Sequence, residues 1–176
     1  MSILKKAAIG LLVIIGIFLV VGLFLPSKYQ VDRERVIAQE ASVLFGLVHD
    51  LNKWKEWSPW IKEYPNDNHT FSANSVGPGA YYTWKGEETG EGKLEIVSST
   101  ANKAIKTKLA VKDRGTGIGD WSFTEKDGKT TVVWSFKGDN GNNIIGKYFG
   151  LMMDGMLGPY FERGLANIEQ VASSTK

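Results

Sequence analysis

The chain has 176 residues, with 21 Lys or Arg, 19 Asp or Glu and no cysteine. Lys5 and Lys6 precede an N-terminal apolar run, and no acid lies before Asp32, so the remaining 19 basic residues balance 19 acidic ones. This balance excludes nucleic-acid binding, which requires an excess of positive charge. The lack of cysteine excludes disulfides, thiolate metal ligands and a cysteine nucleophile.

The first predicted element is a transmembrane helix over residues 7–25, which carry no charged, amide or hydroxyl side chain. At about 1.5 Å per residue this helix spans roughly 28 Å, close to the ~30 Å apolar core of a bilayer. A secretory signal peptide has a shorter apolar region of ~7–15 residues and a small-residue cleavage site. We therefore predict an uncleaved anchor with its stub over residues 1–26, followed by one domain over residues 27–176.

The charges around this helix indicate its orientation. Lys5 and Lys6 favour a cytoplasmic N-terminus, whereas Lys28 and the two arginines that follow it favour the opposite arrangement. A very short tail before the first apolar segment is typical of an anchor with its N-terminus inside. We predict a single-pass protein of the cell membrane whose domain lies outside the cytoplasm, on the periplasmic side if the protein is bacterial.

One strand and two short helices are predicted after the anchor. The stretch up to Gln39 is rich in β-forming residues, and both of its faces are mixed, which indicates an edge strand. Residues 41–51 have apolar side chains at helical spacing. Residues 53–62 form a second helical piece with three tryptophans at intervals of three, interrupted by Pro59.

Residues 69–137 have a period of two, with apolar side chains on one face of each strand and polar ones on the other. Turn signals such as Asp127-Gly128 separate the strands. This pattern predicts an antiparallel sheet that is covered on one side only.

The last segment, residues 143–172, predicts the helical cover. A C-terminal apolar stripe and an earlier one are rotated by roughly a third of a turn relative to each other, and Gly158-Pro159 lies between them. We therefore predict a kink or break at Pro159. The C-terminal stripe comprises Phe161, Leu165, Ile168 and Ala172, and the earlier stripe comprises Ile145, Phe149, Met152 and Met156.

Several motifs resemble one known family: Leu51 to Trp54, Trp57 to Trp60, Gly79 to Gly86, Thr131 to Trp134, and Met156 to Ile168. Together they resemble the START-like helix-grip superfamily, and more specifically the membrane-anchored polyketide cyclase/dehydrase-like (SRPBCC) proteins, over residues 28–172. The resemblance implies an α+β fold in which about six or seven antiparallel strands wrap around a long C-terminal helix. It also implies a space between this helix and the sheet that holds hydrophobic ligands.

Aromatic residues are the strongest functional signal, because the chain has six Trp, six Tyr and eight Phe. Such side chains line an apolar cavity or simply fill a core, and composition alone favours the core. With the resemblance, we predict a ligand-binding wall in which methionines adapt to ligand shape. Its predicted members are Trp54, Trp57, Trp60, Tyr82, Trp84, Trp121, Phe149, Met152 and Met156.

Catalytic and metal-binding constellations are not visible in the sequence. His49 and His69 lack accompanying carboxylates at ligand spacing, so we predict no metal and no cofactor, and a helix-capping role for His49. If the cavity is reactive, the acids that matter are Asp154, Glu162 and Glu91, although solvated or salt-bridged roles are favoured for all three.

These observations predict a membrane-anchored domain that binds a hydrophobic or amphipathic small molecule, lipid-like or polycyclic, between the sheet and the C-terminal helix. Two alternatives remain open. One is a cyclase- or hydrolase-like enzyme that uses the same cavity, and the other is a membrane-tethered interaction domain with a closed core.

Overall fold

The computed structural model describes residues 3–174, which form one antiparallel sheet, a long C-terminal helix and an apolar N-terminal helix. The helices are α1 (Ile3–Phe24), α2 (Ala41–His49), α3 (Trp54–Trp57), α4 (Pro59–Glu63) and α5 (Ile144–Ser174), with a short 3₁₀ turn at Leu51–Lys53. The strands are β1 (Lys28–Ile37), β2 (Asn68–Phe71), β3 (Tyr81–Gly86), β4 (Gly90–Thr100), β5 (Ala104–Val111), β6 (Gly115–Lys126) and β7 (Lys129–Asp139).

The seven strands are ordered β1-β7-β6-β5-β4-β3-β2, and every neighbouring pair is antiparallel. The predicted helix-grip architecture is confirmed. The predicted edge position of the first strand is confirmed as well, because β1 pairs with β7 alone. Its mixed faces follow from this position, since an edge strand is only partly covered.

The predicted interruption of the second short helix at Pro59 is confirmed, since the chain divides into α3 and α4 at Ser58, directly before the proline. Pro59 occupies the first turn of α4. A backbone N–H at that position would have no partner within the helix, and the fixed φ of proline suits the start of a helix. The division aims Trp57 and Trp60 at the inner face of the sheet from two separate helices.

The C-terminal helix α5 runs through Pro159 without interruption, so the alternative of a break there is wrong. A proline inside a helix crowds the carbonyl of the residue four positions earlier. For Pro159 that residue is Gly155, which is exposed. The core-facing side of α5 begins with Gly146, Gly150, Met153 and Leu157 and continues into the predicted C-terminal stripe. The earlier predicted stripe lies on another, exposed face.

The core lies between the inner face of the sheet and the helices α2, α3, α4 and α5. Its buried apolar residues come from segments between Val31 and Ala172. By contrast, Gly22 is the buried residue of α1, whose other side chains are exposed. Helix α1 is therefore attached to the domain at its last two turns and contributes almost nothing to the core.

Candidate ligand-binding site

Six of the nine predicted site residues come together on the inner face of the sheet. Trp54, Trp57 and Trp60 project from α3 and α4, and Tyr82, Trp84 and Trp121 project from β3 and β6. They form one chain of touching rings with two further residues, Trp134 on β7 and Phe161 on α5. We call these eight residues the aromatic network.

The ring geometry shows tight packing at the centre of this network. Trp121 stacks on Trp134 at 4.2 Å between centroids, and Trp134 stacks on Phe161 at 4.1 Å. Trp57 meets both tryptophans edge to face, at 5.7 Å and 5.8 Å. Offset and edge-to-face pairs of this kind add stability beyond the area that they bury. The centre is therefore filled by protein.

Trp134 and Phe161 join the network although the sequence prediction did not include them in the site. Their patterns were visible, because Trp134 alternates with apolar neighbours on its strand and Phe161 begins the C-terminal stripe. Spacing assigns each residue to a buried face but does not identify its partners. Cross-strand register supplies that information, since Trp121 and Trp134 are directly paired across β6 and β7.

The other three predicted residues do not join the network. Phe149, Met152 and Met156 lie on the outer face of α5 and remain 55%, 59% and 51% exposed. The adjacent Met153 and Leu157 pack against the core instead. The glycines on the core-facing side carry no hydrophobic signal, so the apolar pattern alone identified the wrong face of the first half of α5.

Beyond the network the inner face continues as a strip of less buried residues, which we take as a candidate groove. Register places Tyr82, Leu94, Leu109 and Gly117 side by side across β3 to β6. Leu94 is buried, whereas Leu109 is only half-buried. The half-buried Trp84 lies at the β3 end of this row. We define the groove by the row from Tyr82 to Gly117, Trp84, and the half-buried Met153 and Leu157 of α5.

Gly92 and Gly117 shape the floor of the groove. The ring of Trp84 lies over Gly92, its direct partner across β3 and β4, and the ring of Phe136 lies over Gly117. A side chain at either glycine would collide with these rings. The rings of Trp84 and Phe136 consequently lie flat against the sheet backbone at the two glycines.

Polar groups in the network lack partners within the described part of the chain. The indole N–H of Trp121 and the hydroxyl of Ser58 are buried without a hydrogen bond. By contrast, the indole N–H groups of Trp54 and Trp57 donate to the carbonyl oxygens of Val48 and Leu47, each at 2.9 Å. Buried polar groups without partners are rare and carry an energetic cost.

The Tyr82 side chain also carries a polar group into the groove region. Burial raises the pKa of Tyr82 above the ordinary tyrosine value, so the phenol is protonated at neutral pH. The Tyr82 hydroxyl is therefore a hydrogen-bond donor within the buried part of this wall.

The candidate acids are engaged in ion pairs at the edges of the domain. Arg33 on β1 donates to Asp154 at 2.8 Å and to Glu162 at 2.7 Å, which joins β1 to α5. Hydrogen bonding from Arg33 lowers the pKa of Asp154 below its ordinary value. Glu91 pairs with Lys85 at 2.6 Å and with Lys112 at 3.5 Å. All three acids are therefore salt-bridged, which is the role that was favoured for them from the sequence.

Each histidine makes one local contact through Nε2, while Nδ1 of His69 is buried without a hydrogen bond within the described residues. His49 Nε2 lies 3.0 Å from Ser99 Oγ, so its side chain pairs with β4 instead of capping α2 as predicted. Burial lowers the pKa of His49. His69 Nε2 lies 3.3 Å from the Tyr64 carbonyl oxygen. Within residues 3–174, no group of three His, Asp or Glu side chains has an arrangement that would hold a metal.

Two surface hollows each include one residue of the aromatic network, Trp121 in the first and Trp84 in the second. One, of about 290 Å³, is lined by β4 to β7 and includes the polar outward-facing residues Ser98, Lys106, Asp120 and Ser135. The other, of about 560 Å³, is an open hollow at the ends of β3 to β6, next to Trp84 and Gly92. The second hollow adjoins the end of the groove, whereas the first does not.

The fold defines a helix-grip protein with a network of aromatic side chains on the inner face of its sheet. The family described as "Polyketide cyclase / dehydrase and lipid transport" matches residues 28–173. The chain belongs to this family, which confirms the resemblance found in the sequence. No match was found among curated proteins.

Solved structures confirm the fold. A Mesorhizobium loti protein has a TM-score of 0.62 at 13% identity, covering 84% of this chain and 98% of its own. A Thermobifida fusca protein has a TM-score of 0.62 at 16% identity, covering 84% and 95%. DynU16, from the dynemicin biosynthetic locus, has a TM-score of 0.59 at 11% identity, covering 84% of this chain and 48% of its own. These low identities establish the fold alone.

Proposed function

We propose that this chain is a membrane-anchored protein whose domain binds an apolar or amphipathic small molecule in the groove. The observation that carries the proposal is the change in burial along one wall. Trp54, Trp57 and Trp121 are buried, whereas Trp84 and Leu109 are half-buried where the groove opens. Binding of an apolar ligand to a partly solvent-exposed apolar wall is favourable, because it removes apolar surface from water.

The polar groups of the network suit an amphipathic ligand. Small-molecule sites are mostly apolar and contain a few polar groups that fix ligand orientation. The Tyr82 hydroxyl and the unpaired Trp121 N–H are donors in the buried part of this wall, so a ligand that reaches them by displacing neighbouring rings would gain from an oxygen acceptor. A fatty acid or an oxygenated polycycle has this chemistry. The proposed ligand-binding residues are Trp54, Trp57, Trp60, Tyr82, Trp84 and Trp121, to which we add Leu109, Met153 and Leu157.

The membrane part of the proposal depends on α1. This helix is 22 residues long and is apolar enough to cross a membrane, a property that anchors share with signal sequences. We favour an anchor because the apolar run continues to Pro26 without a small-residue cleavage pattern. The basic residues Lys5 and Lys6 favour a domain outside the cytoplasm. A phosphatase fused after Lys176 is then active, and an inactive fusion would reverse this orientation.

A test of ligand binding uses Leu109, which lies in the middle of the groove floor. Leu109→Trp adds bulk at the half-buried position beside Gly117 and the Phe136 ring that covers it, and Leu109→Met conserves volume at the same site. Native mass spectrometry of the full chain, released from detergent micelles, records small molecules that remain bound, first as purified and then with added palmitate. We expect bound molecules with the native chain and with Leu109→Met, and their loss with Leu109→Trp.

Three other outcomes distinguish the alternatives. Palmitate that binds equally to Leu109→Trp would place binding outside the groove and contradict the proposed site. A native chain that carries nothing and takes up no palmitate would favour the closed interaction domain. A change in the mass of a bound molecule with time would favour the enzyme alternative.

A further inference from the structure

The first half of α5 exposes a continuous apolar face. Ile145, Phe149, Met152 and Met156, which we call the outward stripe, are 61%, 55%, 59% and 51% exposed. These residues recur at the spacing of one helical face. Leu151, on the same half of the helix, is 57% exposed. Isolated exposed apolar side chains are ordinary, but a contiguous apolar face marks an interaction surface.

Helix α1 is attached directly beside this stripe. Phe18 stacks on Tyr148 at 4.2 Å, and the Tyr148 hydroxyl donates to the Phe18 carbonyl oxygen at 2.8 Å. Gly22 lies against Ile144 and Tyr148, where a side chain would collide. On a helical wheel of about 100° per residue, the side of α5 that contacts α1 lies next to the outward stripe. The apolar surfaces of the two helices are therefore continuous.

The depth of this contact sets the position of α5 relative to the anchor. Phe18 lies seven residues before Leu25, the last residue of the apolar run, which is roughly 10 Å along a helix. An anchor that spans the bilayer therefore brings Tyr148 below the bilayer surface. Amphipathic helices that lie on membranes bury their apolar face about 5–10 Å into this same boundary.

The polar side chains near the stripe fit the same position. Lys147 Nζ donates to the carbonyl oxygen of Leu23 at 3.2 Å, at the end of α1 where a membrane surface would lie. Between Lys147 and Asp154 the chain has no charged residue. Asp154 itself is neutralised by Arg33 on the side of the sheet.

We propose that the first half of α5 lies in the lipid interface, with the outward stripe against acyl chains. This inference rests on the proposed anchoring by α1. The continuity of the stripe with α1 favours lipid over a second copy of the chain or another protein. In this position the domain lies with α5 and the edge strand β1 towards the membrane.

The test uses the natural absence of cysteine from the full chain. Single cysteines at Met152, Gln170 and Val13 carry a nitroxide spin label in nanodiscs of phosphatidylcholine and phosphatidylglycerol. Gln170 is the matched control because it is exposed on α5 and lies 18 residues, about five turns, beyond Met152 on the same face. Power saturation compares collisions with oxygen, which enriches in lipid, and with a nickel chelate, which stays in water.

We expect labels at Met152 and Val13 to favour oxygen over nickel several-fold more than the label at Gln170. A label at Met152 that behaves like Gln170, while Val13 remains in lipid, would overturn the interfacial position and leave the anchor intact. A label at Met152 shielded from both reagents would overturn it in favour of a protein partner. A label at Val13 in water would overturn the anchor itself.

Discussion

Gly164 lets the final helix approach the tryptophan at the centre of the sheet. A methyl group added at this position would lie 2.8 Å from Cζ3 of Trp134 and 3.4 Å from Cδ of Pro59. Trp134 has no room to yield, since it is stacked between Trp121 and Phe161. The absence of one side chain thus determines how closely α5 packs on the aromatic network.

We therefore expect Gly164→Ala to lower the free energy of unfolding relative to Gly46→Ala. Both glycines are inside helices, so alanine contributes up to about 1 kcal/mol of helix propensity at either site. Nothing lies within 4 Å of the added methyl at Gly46, whereas overpacking at Gly164 costs about 1–3 kcal/mol. Chemical denaturation of the two variants measures the difference. Equal stability would show that α5 shifts away from Trp134 without cost.

Single residues also show what the sequence could and could not predict of the site. The six inner-face aromatics were predictable because each lies on a strand or short helix with a clear apolar face. Trp134 was equally visible as a buried residue, but its stacking on Trp121 depends on the register of β6 against β7. Register is determined by turns and by packing of the whole sheet, which local patterns do not contain.

The element with the largest difference from its prediction is α5. The sequence predicts the two stripes correctly, but it suggests that both must reach the sheet, which requires a kink or break at Pro159. The first half of the helix instead faces the core through Gly146, Gly150, Met153 and Leu157, and the second half does so through the predicted C-terminal stripe. Small residues let a helix approach a strand closely without contributing hydrophobic signal, so periodicity favoured the outer face.

This continuity changes the expected effect of removing the proline. Pro159 is exposed and lies inside an uninterrupted helix, where proline is about 3 kcal/mol less favourable than alanine. We expect Pro159→Ala to raise the free energy of unfolding by up to about 3 kcal/mol, because it restores a hydrogen bond to the carbonyl of Gly155. Thermal and chemical denaturation of the full chain in detergent measure this change.

The control is Pro59→Ala, at the first turn of α4. That position has no helical hydrogen bond to gain, and Pro59 is buried, so we expect no increase in stability. A loss of stability in Pro159→Ala would indicate that the helix uses a bend at the proline to fit the sheet.

At the scale of the whole molecule, the domain and α1 are held together by a small contact. The contact consists of the Phe18–Tyr148 stack, the packing of Gly22 on Ile144 and Tyr148, and the hydrogen bonds from Lys147 and Tyr148. The core residues, by contrast, lie between Val31 and Ala172. Helix α1 is therefore nearly separate from the elements that form the core.

A fragment of residues 27–176 should consequently fold. An aromatic pair contributes about 0.5–1.5 kcal/mol, and 1 kcal/mol shifts the melting temperature of a domain of this size by about 2–4 °C. We expect a melting temperature within several degrees of that of the full chain in the same detergent, which also covers the outward stripe. A fragment of residues 40–176 is the control, because it lacks β1 and with it Val31, Ile37 and the Arg33 ion pairs. We expect that control to lose its cooperative transition. If the longer fragment loses it too, α1 is a structural part of the domain rather than an anchor attached to it.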